Sequence, residues 1–424
     1  MLSAFYHKLK LTFSDKPLRN RILFVIGALV IFRFLAAIPI PGVDRIALAQ
    51  FFSNNQFFGL LNVFSGGGLS KLSIVMLGVG PYITASIIMQ LGTVVSSRMK
   101  ALYFEEGEAG RAKFIEWSRI LTIPLALLQG VGFLLLLKTQ GVIDPLTTTA
   151  FVANVLLVAA GSIMLMWLGE LVTEFGIGNG VSLIIFAGIV SRFPSGLSQA
   201  LFTASVANIP AYIGFALLAI AVVYAVVVVS EAERSIPIAY ARAVRGAAAQ
   251  NGAATYLPIR LLQAGVIPII FALSLLLLPQ MALSILAAAN VPHIAALNTW
   301  FTAFLANPWE YGAAYFFLVV VFTYFYTSIT FEPGRIAENL QKTGAFVPGV
   351  RPGKETEKYI GDVVNRITLP GALFLGLVAV VPFIIQGVTG VTAFLVGGTA
   401  LLIAVQVILD LIRKIDAQAS LNEY

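Results

Sequence analysis

Long apolar runs alternate with short polar segments along the whole chain. A run must approach about 20 residues to cross a hydrocarbon core of roughly 30 Å as a helix rising 1.5 Å per residue. Ten runs approach or exceed that length, at about 22–38, 74–95, 117–137, 151–172, 181–201, 210–230, 261–286, 310–330, 367–387 and 391–412. The first is short and carries Arg33; the fifth carries Arg192 and Pro194 near its end. The segment 287–309 is apolar but interrupted by Pro292 and Pro308, which predicts an external loop lying near the surface. The pattern as a whole predicts an all-α polytopic membrane protein with ten transmembrane helices.

Two connections are long and polar, about 231–258 and about 331–366. In the second, Pro348-Gly349 and Pro352-Gly353 predict turns that hold Arg351 at a tip. The stretch from Phe64 to Gln90 departs from the pattern. It opens with Gly66, Gly67 and Gly68, and Gly80-Pro81 interrupts its apolar run.

That interruption recurs. Gly78-Val79-Gly80-Pro81-Tyr82-Ile83 in the second run matches Gly265-Val266-Ile267-Pro268-Ile269-Ile270 in the seventh; both read G-V-x-P-x-I. A fainter echo links Gly180 and Ile185 in the fifth run with Gly398 and Ile403 in the tenth. Both pairs are five runs apart. Two five-helix halves insert with opposite topology because five is odd, the inverted-repeat plan that puts a functional site between the halves near the midplane. The matched prolines predict kinks that bend two helices around one axis.

Composition agrees with the membrane reading. Apolar residues make up 58% and charged residues 11%, against about 25% charged in soluble domains. Cysteine is absent, which removes disulfides and Cys-metal sites. Twenty-two of the 27 Lys and Arg residues fall on one side if the N-terminus is cytoplasmic, the asymmetry that sets orientation. Arg45, Lys71, Lys138 and Arg192 fall outside. Only the connection between the fourth and fifth runs disagrees, carrying Glu170 and Glu174 and no base. Both termini are therefore expected in the cytoplasm. The basic N-terminus lacks the separate apolar core and cleavage site of a signal peptide, so it is expected to be retained.

Candidate chemistry is sparse. Ion-coupled pumps need ionisable groups inside the membrane, and the runs hold little beyond Arg33. Thr84, Ser86, Gln90, Gln129, Gln263, Gln386 and Gln406 are of the type that hydrogen-bonds between helices. His7 and His293 lie outside the runs, and no Gly-x-Ser-x-Gly elbow or intramembrane carboxylate pair occurs. Gly176-Ile177-Gly178-Asn179-Gly180 lacks the strand and spacing of a dinucleotide loop and predicts a tight interhelical connection. No enzyme activity and no cofactor are expected. The repeat alone leaves open a secondary transporter of a small solute.

Seven stretches narrow this further: IPIPG (38–42), FSGGGLSKLSI (64–74), GPYITASIIMQL (80–91), MWLGELVTEFGIGNGVS (166–182), AGVIPIIF (264–271), ENLQKTGAFVPGVRPG (338–353) and GGTALLI (397–403). Together they give a chain that resembles the SecY/Sec61-alpha family of protein-conducting channels over nearly its full length. The resemblance implies two inverted five-helix halves, 22–201 and 202–412, around an hourglass pore. It implies an amphipathic cytoplasmic segment 1–21 and a cytoplasmic tail 413–424. At the waist an aliphatic ring would comprise Val79, Ile83, Val181, Ile185, Ile270 and Ile403. A plug at about 57–72 would include Phe64, Ser65, Gly66, Gly67, Gly68 and Leu69, with the glycines as its hinge. A lateral gate between the second and third and the seventh and eighth helices would use Thr84, Gln129 and Gln263; Leu262 stands where the family often has Asn. Arg242, Arg245 and Arg351 would dock cytosolic partners, although Ala247 and Ala248 replace a basic pair common in related sequences. The implied partners are SecE, SecG, the SecA motor ATPase, the ribosome, signal-bearing nascent chains or preproteins, and membrane lipid. The implied location is the bacterial inner membrane.

Overall fold

The computed structural model describes residues 15–41, 48, 62, 65, 67–139, 141–143, 147–202, 209–240, 255–263, 265–288, 294–389 and 395–421. Among them the helices are α1 (Lys16–Leu35), α2 (Gly80–Val95), α3 (Ser97–Phe104), α4 (Gly107–Thr139), α5 (Thr148–Phe175), α6 (Gly180–Phe202), α7 (Ile209–Glu231), α8 (Ile267–Ala288), α9 (Ile294–Ala306), α10 (Pro308–Thr330), α11 (Pro333–Lys342), α12 (Lys354–Thr389) and α13 (Leu395–Leu421). The strands are β1 (Glu233–Tyr240), β2 (Thr255–Arg260) and β3 (Ala345–Phe346). Helices occupy all or part of each of the ten apolar runs. Five of them, α4, α5, α8, α10 and α12, are long and apolar enough to cross a membrane.

Several boundaries differ from the sequence expectation. The second run does not become helical at 74; residues 74–79 form turns and α2 begins at Gly80. Its 16 residues span about 24 Å at 1.5 Å per residue, short of a full crossing. The seventh run likewise becomes helical at Ile267 rather than 261. The segment 287–309 is not a simple loop, because α9 occupies its centre. Pro292 precedes α9, and Pro308 sits at the first position of α10, where its missing N–H is not needed. These prolines bound a helix instead of preventing one.

The same physics corrects the expected kinks. Pro81 and Pro268 are each the second residue of their helix, so neither bends a helix from within. Gly78 has φ +59° and Gly265 has φ +57°, each two residues before its helix starts. Positive φ is open to glycine and costly for a residue with a Cβ. The repeated motif is thus one device used twice: a left-handed glycine turns the chain, and a proline in the first turn opens a helix. Its second copy reproduces the backbone of the first to within a few degrees at the glycine.

Packing divides the helices into two bundles. In the first, α5 contacts α1, α2, α4 and α6, and α2 also packs on α4. In the second, α12 contacts α10 and α13, α8 packs on α10, and α7 on α13. The bundles meet along two seams, α2 and α4 against α8 on one side and α6 against α13 on the other. Where α5 passes the turn before α2, a Cβ on Gly161 would collide with the Ile74 carbonyl. The Ser162 hydroxyl donates to the Gly78 carbonyl there at 2.9 Å.

The two long polar connections join in one sheet, ordered β2-β1-β3. β1 and β2 pair antiparallel from Glu233↔Arg260 to Ile238↔Thr255. β3, from the other connection, pairs with β1 at Ala239↔Phe346 and Tyr240↔Ala345. A small separate core of Ile236, Ile259, Val347, Ile360 and Val364 lies beneath. The acidic exception in the charge pattern also has an explanation. The Arg119 guanidinium of α4 donates to the Glu170 carboxylate of α5 at 2.7 Å, so a neighbouring helix end supplies the base that this connection lacks.

Candidate functional site

Between the two seams the aliphatic side chains converge. Val79 caps the start of α2, Ile83 follows one turn later, and Ile270 occupies the corresponding turn of α8. Ile185 lies on α6 and Ile403 on α13, the pair of helices that forms the second seam. Exposure is 1% for Val79, 8% for Ile83, 0% for Ile185, 6% for Ile270 and 0% for Ile403. All five belong to one contiguous core, and half-buried Val181 packs against it. They come from the starts of α2 and α8 and from α6 and α13, so the aliphatic cluster spans both halves.

Leu69 and Leu72 enter the same core at 2% and 0% exposure. Leu69 also borders a space of only ≈ 60 Å³, which Ser65, Val79, Ile83, Ile270 and Leu273 line with it, among others. Val181, Ile185 and Ile403 do not line this space, although they share its core. The wall is mostly apolar, with Ser65, Gln129 and Ser274 as its polar members, and the volume is small. A narrow aliphatic constriction dewets, which opposes the passage of ions and water.

The segment below the waist is held by its own polar groups. Asn62 is buried; its side-chain carbonyl accepts from the Ser70 N–H at 2.8 Å, and its backbone carbonyl accepts from the Ser65 hydroxyl at 3.1 Å. The Leu69 N–H donates to the Ser65 hydroxyl at 3.0 Å. Two backbone bonds then tie the exit of this segment to the end of the first membrane run. The Ile40 N–H donates to Leu72 O at 2.8 Å, and the Ile74 N–H donates to Ile38 O at 3.0 Å. Between them Leu72 adopts φ +42°, a left-handed conformation that costs a residue with a Cβ roughly 1–2 kcal/mol. The Ser73 hydroxyl is buried without a hydrogen-bond partner among the described residues. Gly67, at φ +82°, and Gly68 fall within this turn; Phe64 and Gly66 lie outside the described residues.

Of the three polar positions along the α2/α4–α8 seam, two meet. Gln129 Nε2 of α4 donates to Thr84 Oγ1 of α2 at 3.3 Å, and the Thr84 hydroxyl donates to the Gly80 carbonyl at 3.0 Å. Both belong to the first bundle, so this bond braces one side of the seam. Gln263 is half-buried in the segment leading into α8. The approach across the seam is apolar, with Gly132 of α4 packed close to Ile285 of α8.

Sequence reasoning missed Asn62, Met76, Phe133, Leu273 and Met281. Phe133 and Leu273 had a signal, being one helical turn from Gln129 and Ile270 and therefore on the same faces. Asn62 had none, because its role depends on the tertiary turn it organises. On the sheet, Arg351 is exposed at the turn after β3, and its carbonyl accepts from the Thr356 hydroxyl at 2.8 Å. Nearby on α11, Lys342 donates to Glu338 and holds that carboxyl below the usual carboxylate range. Arg242, Arg245, Ala247 and Ala248 lie outside the described residues.

The family model for SecY matches residues 73–412. The protein translocase subunit SecY of Streptomyces coelicolor is 39% identical over 442 aligned residues, covering 100% of this chain and 99% of the relative. A solved structure described for the SecY plug domain in the closed translocation channel superposes with TM-score 0.69 at 22% identity, covering 96% of this chain and 93% of the other. Sec61 from a canine ribosome-channel complex gives TM-score 0.64 at 19% identity with the same coverage.

If the aliphatic waist is the seal, making it polar opens it to water. The double replacement Ile83→Asn and Ile270→Asn is expected to raise the resting ion conductance of the protein in planar bilayers several-fold. Unchanged conductance would contradict the assignment.

Proposed function

We propose, from the premise that the chain belongs to the SecY family, that it is a passive protein-conducting channel for unfolded polypeptide. The observation that carries the reading is the narrow, mostly aliphatic space between two inverted bundles, bordered by Leu69. Aliphatic side chains offer no specific hydrogen bonds, so a polypeptide of any sequence can slide past them. A transporter of a small solute would need groups that bind its cargo or a coupling ion, and the lining here is mostly apolar, with Ser65, Gln129 and Ser274 its polar members.

The ring of the working channel comprises Val79, Ile83, Val181, Ile185, Ile270 and Ile403, set in ten membrane-spanning helices. The plug runs over about 57–72 and turns on Gly67, Gly68 and Leu72. Closed, it carries two local costs, the left-handed Leu72 and the unpaired Ser73 hydroxyl. A buried, unsatisfied hydroxyl costs about 1–3 kcal/mol. Both are relieved when the segment leaves, which keeps the shut state from being too deep. The packing of Leu69 and Leu72 supplies the opposing term, about 1.5–3 kcal/mol for each fully buried side chain.

Lateral release uses the α2/α4–α8 seam. An apolar segment in the pore gains a few tenths of a kcal/mol for each Leu or Ile that enters lipid, while a charged residue loses about 2.5–3.5. The seam needs only to part; partition makes the choice. Thr84 and Gln129 keep α2 and α4 together as one leaf, and Gln263 faces the opening from the other.

The sheet β2-β1-β3 is the docking platform, and Arg351 its exposed contact. Drive comes from outside: the SecA motor or the ribosome loads the chain, with Arg242 and Arg245 adding positive charge to the same docking function. SecE and SecG complete the complex in the bacterial inner membrane, with both termini in the cytoplasm.

Two experiments test this. A photo-crosslinking residue at position 83 or 270 is expected to capture a stalled signal-bearing chain in an assembled, active complex; failure at both positions refutes the conduit. Arg351→Glu is expected to slow SecA-driven export severely while the protein inserts normally. Wild-type export by that variant removes Arg351 from the docking role.

A further inference from the structure

The apolar helix α9 has no part in the pore. It joins the ends of α8 and α10 that lie away from the sheet, since β2 leads into the start of α8 and β3 follows the end of α10. It therefore sits at the opposite membrane surface. Its contacts are with α8 and α10.

At about 100° per residue, the helix sorts its side chains three ways. Phe301 and Leu305 face the protein core, with Leu305 at 8% exposure. Leu297, Trp300 and Phe304 share one flank, where the Trp300 and Phe304 rings stack at 6.0 Å. Thr299 and Thr302 lie on the opposite flank, both exposed. Leu297 is 49% exposed and Trp300 63%, whereas Phe304 is half-buried and packs against the core, so the uncovered part of the flank is Leu297 and Trp300. Trp309, 57% exposed in the first turn of α10, continues the aromatic surface.

We infer that α9 is an interfacial anchor. Its exposed Leu297–Trp300 face seats in the boundary between headgroups and acyl chains, while Thr299 and Thr302 face water. Indole rings favour that boundary because they are apolar in body with one N–H to satisfy. A helix lying in the membrane plane with apolar and polar flanks is the geometry such anchoring requires. The occupant is lipid, because α9 joins and packs on α8 and α10, which are long and apolar enough to span the bilayer. The consequence reaches the pore: α9 fixes one end of α8, whose other end carries Ile270 and one leaf of the lateral seam. When the leaves part, α8 pivots on a lipid-anchored end.

The chain has no cysteine, so single spin labels can be placed cleanly. Leu297→Cys, Trp300→Cys, Thr299→Cys and Thr302→Cys would be labelled one at a time in the full complex in lipid nanodiscs. The labels at 297 and 300 are expected to be several-fold more accessible to oxygen than to a water-soluble nickel chelate, with the reverse at 299 and 302. Nickel access at all four positions places the helix in water and overturns the inference. Shielding of 297 and 300 from both reagents means that protein covers the flank, which also overturns it. If replacing Trp300 disturbs folding, the contrast between 297 and 299 decides the matter. The resting protein carries no polypeptide in this measurement, so its outcome is independent of conduction.

Discussion

A bilayer interior offers no hydrogen bonds, so every backbone group at that depth must be satisfied by protein. The waist is where this constraint is most demanding, because two helices begin there. α2 and α8 open beside the aliphatic ring, and the turns before them leave backbone groups without helical partners. The first turn is paired from several sides. Leu72 O accepts from Ile40, Ile74 donates to Ile38, and Ser162 donates to the Gly78 carbonyl. α5 can approach that closely because Gly161 has no side chain. Both helices start inside the molecule, and their first turns present Val79, Ile83 and Ile270 to the closed space.

The repeat was legible in the sequence, and its meaning was only half legible. G-V-x-P-x-I occurs twice, and the structure gives both copies the same left-handed glycine and the same proline-led start. The expected kink was wrong because the apolar run continues unbroken from 74 into α2, and hydrophobicity does not distinguish a turn packed in protein from a helix facing lipid. The same limit hid α9, whose bounding prolines read as loop punctuation. The platform was hidden for another reason: β3 has two residues and its partner lies in a different connection, so the pairing is purely tertiary. The charge exception at Glu170 dissolved only when Arg119 was seen beside it. The ring positions came from family resemblance and repeat together. Of these, Val79, Ile83 and Ile270 border the closed space, while Val181, Ile185 and Ile403 join it through the common core.

On the proposed reading, the turn before α2 combines favourable and unfavourable terms. Leu69 and Leu72 are almost fully buried in the common core. Leu72 has a left-handed backbone, and the Ser73 hydroxyl has no hydrogen-bond partner among the described residues. The brace between Thr84 and Gln129 strengthens one leaf of the seam without crossing it, so parting the leaves leaves that bond intact.

The central claim is that Leu69 must leave the ring before polypeptide can pass. Since the chain has no cysteine of its own, Leu69→Cys with Ile270→Cys would give a single reversible lock across the shared cavity. Polypeptide passage through the assembled complex, measured before and after oxidation and again after reduction, tests the claim directly. The account requires passage to stop when the disulfide forms and to return when it is reduced. Undiminished passage with the disulfide fully formed would contradict it.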